Sequence, residues 1–235
     1  MHRMNTFSWI FLLALGGGLL LQMWLAARQA AHIIAHADRV PAAFSDRITL
    51  QQHRKAASYS LARLAIERWE LALGALLLLG WTLAGGLDWL DRMIASAALP
   101  GVWEGVLLIL AVMLIGGLIQ LPLSVWRTFG VEARFGFNHN SPAGCVKDKL
   151  LGILLTLVLG VPLIAVILWL MAAAGDYWWL WAWLVWMGFS LAVTWAYPIW
   201  IAPLFNRFEP LQDDTLRHRL EMLLQRCGFK SNGMF

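Results

Sequence analysis

Long apolar runs alternate with shorter polar stretches along this chain. Residues 4–27 carry no charge. At a rise of about 1.5 Å per residue, a helix of that length crosses a hydrocarbon core of about 30 Å. Further apolar runs lie near 71–87, 105–126, 150–175 and 177–206. The pattern predicts an all-α, polytopic membrane protein with about five transmembrane helices. A cleaved leader is the rival reading of the first run, because Arg3 precedes it and Ala26-Ala27 follow. The run exceeds the about 7–15 apolar residues of a leader and more spans follow it, which favours a retained helix.

Between the first two runs lies a long polar segment, Arg28 to Glu70, broken at Pro41. Tyr59, Leu61, Leu64 and Ala65 recur at helical spacing after Gln51, so this part should extend the second span into water. The second run is short and carries Gly74, Gly80, Gly85 and Gly86, small residues that let helices approach closely. A kink is expected in the third run at Pro122. Trp178 to Trp186 crowd one end of the fifth run, where an interfacial aromatic belt belongs. The tail, residues 212–235, differs in kind. Asp213 or Asp214 can cap a helix that sets Leu216, Leu220, Leu223, Leu224 and Cys227 opposite Arg217, Arg219, Glu221 and Arg226, with Gly228 as its stop.

Composition narrows the function classes. Of 235 residues, 60% are hydrophobic and only 14% charged, against about 25% charged in soluble domains. A net charge of +4 concentrated in a few loops gives an orientation signal and no nucleic-acid surface. The near absence of ionisable groups inside the runs argues against an ion- or proton-coupled pump. Lysine and arginine favour the cytoplasm in the first and third loops, so the N-terminus is placed outside and the C-terminal tail inside. Cys145 and Cys227 then face a reducing compartment as free thiols.

The stretch from Leu121 to Lys149 is the longest in mid-chain that is not simply apolar, and the rest reads as its frame. It interleaves Phe129, Phe135 and Phe137 with Arg127, Glu132 and Arg134, and carries the turn signal Gly136-Phe137-Asn138. Two roles are open for it. Glu132, Arg134 and Asn138 could line a water-filled chamber. Alternatively Glu132 pairs with a nearby arginine, Phe135 and Phe137 seal the membrane face, and Asn138 takes a turn conformation beside Gly136. The structural role carries more weight, since charged residues at a membrane surface are usually solvated or paired.

Three blocks resemble the type I CAAX prenyl endopeptidases, integral-membrane zinc metallopeptidases. The first is Val40-Pro41, Ile48 to Leu50, His53, Lys55-Ala56-Ala57 and Tyr59. The second and most specific is Leu121-Pro122, Ser124, Thr128-Phe129, Glu132 and Phe135-Gly136-Phe137-Asn138, with Asp148 after it. The third is Ile201 to Leu211, followed by the tail helix. The chain departs from the family pattern at Trp126, where tyrosine is usual, and at Ser141-Pro142. The resemblance implies residues 1–211 as the N-terminal membrane domain and 212–235 as the start of a cytoplasmic catalytic region. It implies a multi-pass protein of a bacterial inner (plasma) membrane, with the lipid bilayer, a catalytic half and peptide substrates as partners. For a complete member it implies proteolytic processing of prenylated or membrane-associated C-terminal peptides.

The zinc chemistry of that family needs an HExxH helix and a further ligand. This chain has no HExxH. Only His32 and His36 have the spacing, with isoleucine where the general base belongs. Two ligands from one helix, even joined by Asp38, are too few for a site, and an interfacial pair is the simpler reading. The expectation is therefore a chain with no catalytic and no metal-binding residues of its own, inactive alone, zinc belonging to the complete family member. The alternative is a non-catalytic multi-pass scaffold or carrier.

Overall fold

The computed structural model describes residues 5–138, 140–205 and 213–228. Every regular element among them is helical. The helices are α1 (Thr6–His36), α2 (Leu50–Thr82), α3 (Gly86–Ala95), α4 (Trp103–Phe135), α5 (Pro142–Ala173), α6 (Gly175–Phe205) and α7 (Asp214–Arg226). Four of them, α1, α4, α5 and α6, are long and apolar enough to cross a membrane. The pair α2 and α3, bent by 54° at its break, makes a fifth crossing if the two form one span.

Two compact units make up the fold, Met1–Lys147 and Asp148–Phe235. In the first, α1 and α2 form an antiparallel hairpin. Its closed end is tied by Arg54 Nε donating to Asp38 Oδ1 at 2.8 Å and by the His53 ring nitrogen Nε2 against the His36 carbonyl at 3.0 Å. Local chemistry sets both helix starts. Asn5 accepts from the Ser8 N–H, and Thr49 and Gln52 form a reciprocal capping box. Gly85, at φ 77°, turns the chain from α2 into α3, a conformation glycine adopts without steric cost. α3 then folds back on α4. The buried side chains of this unit are Leu64 and Ile66 of α2, Leu90 and Ile94 of α3, and Val106, Leu110 and Val131 of α4.

In the second unit, the part of α5 from Asp148 onward and α6 form a helical hairpin whose turn is made at Gly175 (φ 60°). Its side chains are largely exposed, as suits surfaces meeting lipid or further protein. Trp195 and Trp200 meet edge to face at 5.9 Å. α7 starts where Asp213 accepts the N–H groups of Thr215 and Leu216, and Gly228 after it has φ 72°. Asn206 to Gln212 and Phe229 to Phe235 lie outside the described residues, as does the part of the third sequence block that falls there.

The helices outrun the apolar runs. α1 continues through Arg28 to His36, α2 begins at Leu50, and α5 begins at Pro142. Charged residues and glutamine are good helix formers, so a helix need not stop where lipid does. Pro122 does not interrupt α4 either. The helix runs through it and widens to π geometry over Trp126–Glu132. Similar wide turns at Thr156–Gly160 and Tyr197–Ile201 lie beside Pro162 and Pro198. A proline removes one backbone donor and crowds the preceding turn; the wide turn at Thr156–Gly160 precedes Pro162 and relieves that crowding, whereas the one at Trp126–Glu132 follows Pro122.

Candidate functional site

The central stretch is a helix end and a tight turn. α4 carries Arg127, Glu132 and Arg134 to its last residue, Phe135, so the expected loop shrinks to residues 136–141. The chain reverses at Gly136 (φ 81°). The N–H groups of Phe137 and Asn138 both donate to the Glu132 carbonyl, at 2.9 and 3.3 Å, and Gly136 donates to Ala133 at 3.1 Å. These bonds satisfy carbonyls that the helix end would otherwise leave open. Asn138 Oδ1 accepts the Asn140 N–H at 2.8 Å, and Ser141 Oγ accepts from Gly144 at 3.0 Å to cap α5, with Pro142 in the first turn. Asn138 and the Ser141-Pro142 departure thus both serve turn and cap.

The aromatic residues of the stretch close on α2. Tyr59 lies edge-on to Phe135, with ring centres 5.4 Å apart, and tilted against Phe137 at 4.8 Å. The Arg134 guanidinium lies 5.8 Å from the centre of the Phe135 ring. About two turns earlier, Arg127 Nη1 reaches Glu70 Oε1 at 3.4 Å, both side chains about one third exposed. Aromatic contact and ion pair together fasten the end of α4 to α2.

Of the sequence candidates, Phe135 and Gly136 are brought into this clasp, Arg134 flanks it, and Asn138 orders the turn. Glu132 contributes its carbonyl. Its carboxylate, half-buried, reaches no arginine among the described residues; the neighbouring Arg127 is taken by Glu70. Two partners, Tyr59 and Glu70, were not singled out from sequence as belonging here. Tyr59 ends the first sequence block, which was its only available signal.

The histidine pair is ordered by backbone. Its rings lie 4.2 Å apart, and His36 Nδ1 contacts the His32 carbonyl at 2.8 Å. Among the described residues no three His, Cys, Asp or Glu side chains come together in a way that could hold a metal ion. The described residues thus offer no ligand set that fits a zinc ion, and no chemical step through one is drawn from them. Both cysteines are free, Cys145 half-buried and Cys227 exposed.

Comparison with known proteins bears on the same segments. A family model described as the CAAX prenyl protease N-terminal region, with five membrane helices, matches residues 29–207. A CAAX prenyl protease 1 homolog of Oryza sativa subsp. japonica is 36% identical over 124 residues, which is 53% of this chain and 29% of that protein. The Mus musculus homolog is 28% identical over 215 residues, 88% of this chain and 45% of that protein. The crystal structure of S. mikatae Ste24p superposes with a TM-score of 0.88 at 20% identity, over 99% of this chain and 56% of that one. The chain therefore spans about half, or less, of the length of the relatives it matches. A family match over most of the chain, an all-helical architecture and the Phe135-Gly136-Phe137-Asn138 turn agree, and the chain belongs to the CAAX prenyl protease N-terminal family of multi-pass integral membrane proteins.

Proposed function

We propose that this chain is the membrane portion of a zinc metalloendopeptidase that processes prenylated or membrane-associated C-terminal peptides. Family membership over residues 29–207 carries the reading. Residues 1–211 supply the membrane helices, and 212–235 lead toward the catalytic region. The hydrolytic centre, with its zinc, is contributed by sequence outside these 235 residues, and the chain alone does not cut peptides. Glu132, Arg134, Phe135, Gly136 and Asn138 hold the helix end that frames the substrate path, in keeping with the clasp onto α2. Purified chain incubated with zinc and a farnesylated CAAX peptide is expected to give no cleavage product by mass spectrometry; cleavage would overturn the claim of inactivity. Sequencing the locus beyond codon 235 separates this reading from a non-catalytic scaffold: an in-frame HExxH supports it, and a stop codon reproduced in independent clones sinks it.

The proposed setting is a bacterial inner (plasma) membrane, with the N-terminus outside and the tail in the cytoplasm, from the basic first and third loops. In intact cells, exposed Cys227 should then react with a membrane-permeant maleimide and resist a charged one. Labelling by the charged reagent would reverse the orientation.

A further inference from the structure

The wide turn of α4 begins at Trp126, about one turn beyond Pro122, so the proline does not account for it. A turn closed from residue i to i+5 takes in one residue more than an α turn. Accordingly, the Ala133 N–H reaches back to the Thr128 carbonyl. The surplus residue changes the side of the helix on which the following residues stand. Arg127 and Phe135 are eight positions apart. In an unbroken α-helix, at about 100° per residue, they would stand about 80° apart. One surplus residue takes back about 100° and leaves them within about 20° of each other.

α2 presents a matching stripe. Tyr59, Ile66 and Glu70 fall within about 40° of one another around its axis. Glu70 holds Arg127 at 3.4 Å, and Tyr59 meets Phe135 and Phe137 at 5.4 and 4.8 Å. Ile66 on the stripe and Val131 between the two anchors of α4 are both buried. The end of α4 thus meets two points of one stripe with the surplus residue between them.

The turn carries its own fastening. A Cβ on Gly130 would stand 2.5 Å from Trp126 Cδ1 and 2.9 Å from its Nε1, so the indole lies directly on the glycine. The first side chain of the wide turn therefore covers backbone that the widening loosens.

We propose that this turn is a register device. Trp126 and Gly130 are positioning residues that hold one surplus residue in α4, so that Arg127 and Phe135 engage α2 together. The device deepens the role given above to the clasp that frames the substrate path. Its bearing on cleavage rests on that reading, and its geometry does not.

The test is made on the whole chain in micelles, without any cleavage reaction, so the device and the proteolytic reading can fail separately. On a Cys145→Ser, Cys227→Ser background, one chain carries Tyr59→Cys with Phe137→Cys and another Glu70→Cys with Arg127→Cys. Both pairs should be joined by bismaleimidoethane. Deleting Gly130 removes the surplus and restores regular helix in the same phase, so both pairs should still cross-link. A glycine with a merely structural role would not survive deletion with the clasp intact. Deleting Leu118, an exposed residue outside the turn, should reduce at least one pair about five-fold. Trp126→Ala and Gly130→Ala should each reduce the Tyr59–Phe137 pair about five-fold, and together no further, because they act on one contact. Trp126→Tyr should keep it. Loss of both pairs on deleting Gly130 overturns the proposal, as does cross-linking indifferent to Trp126→Ala and Gly130→Ala. If the deleted chains do not fold, the Trp126 and Gly130 substitutions decide alone.

Discussion

Replacing Ile66 with alanine should lower the unfolding free energy by about 2–4 kcal/mol, measured by denaturant titration in mixed micelles. Ile66 is the most enclosed large side chain described, at 1% exposure. It lies on α2, the helix that touches α1, α3 and α4 alike. Truncation removes packed methyl groups from an enclosed place, and the void left behind adds to the loss. Ile66→Val should cost only about 0.5–1.5 kcal/mol. Leu76→Ala, at a side chain 65% exposed on the same helix, serves as the control and should be nearly neutral. Equal losses at Ile66 and Leu76 would mean that α2 does not organise this unit.

Breaking the Glu70–Arg127 pair should be the next most damaging change. A fully exposed pair contributes about 0.2–1 kcal/mol, whereas removing one partner of a fully buried pair costs about 3–5. With both side chains one third exposed, Glu70→Ala or Arg127→Ala should fall between, at about 1–3 kcal/mol. Each leaves one charge at the membrane surface without its partner. The reversed pair, Glu70→Arg with Arg127→Glu, should recover at least half of the loss. If the reversal behaves as the sum of its parts, the two residues are not coupled and the contact is incidental.

What could be read from the sequence, and what could not, follows from the range of each interaction. Apolar runs locate membrane crossings because lipid selects composition over about 20 successive residues. The start of α2 was legible from the helical spacing after Gln51, while the Thr49–Gln52 capping box that fixes it at Leu50 was not read from the sequence. The course of α4 past Pro122 was less so. A proline and three charges look like the exit from a span, yet these residues continue as helix, with a wide turn over Trp126–Glu132 following the proline and Arg127 paired with Glu70 on α2. The clasp was hidden for a related reason. Nothing near Phe135 in sequence points to Tyr59, and the arginine expected to neutralise Glu132 is held by Glu70, 57 residues before it. Gly136 was recognisable as a turn residue because its positive φ is a local demand.

The overhang of the first hairpin has a consequence for anything approaching from that side. Residues 28–36 of α1 carry the chain about 13 Å past its apolar run, and residues 50–70 of α2 about 31 Å. These two rods form a parapet above the bilayer, knotted at its crest by His53, Arg54 and Asp38. An extended polypeptide tail moving along the lipid surface must round that parapet or thread beneath its crest.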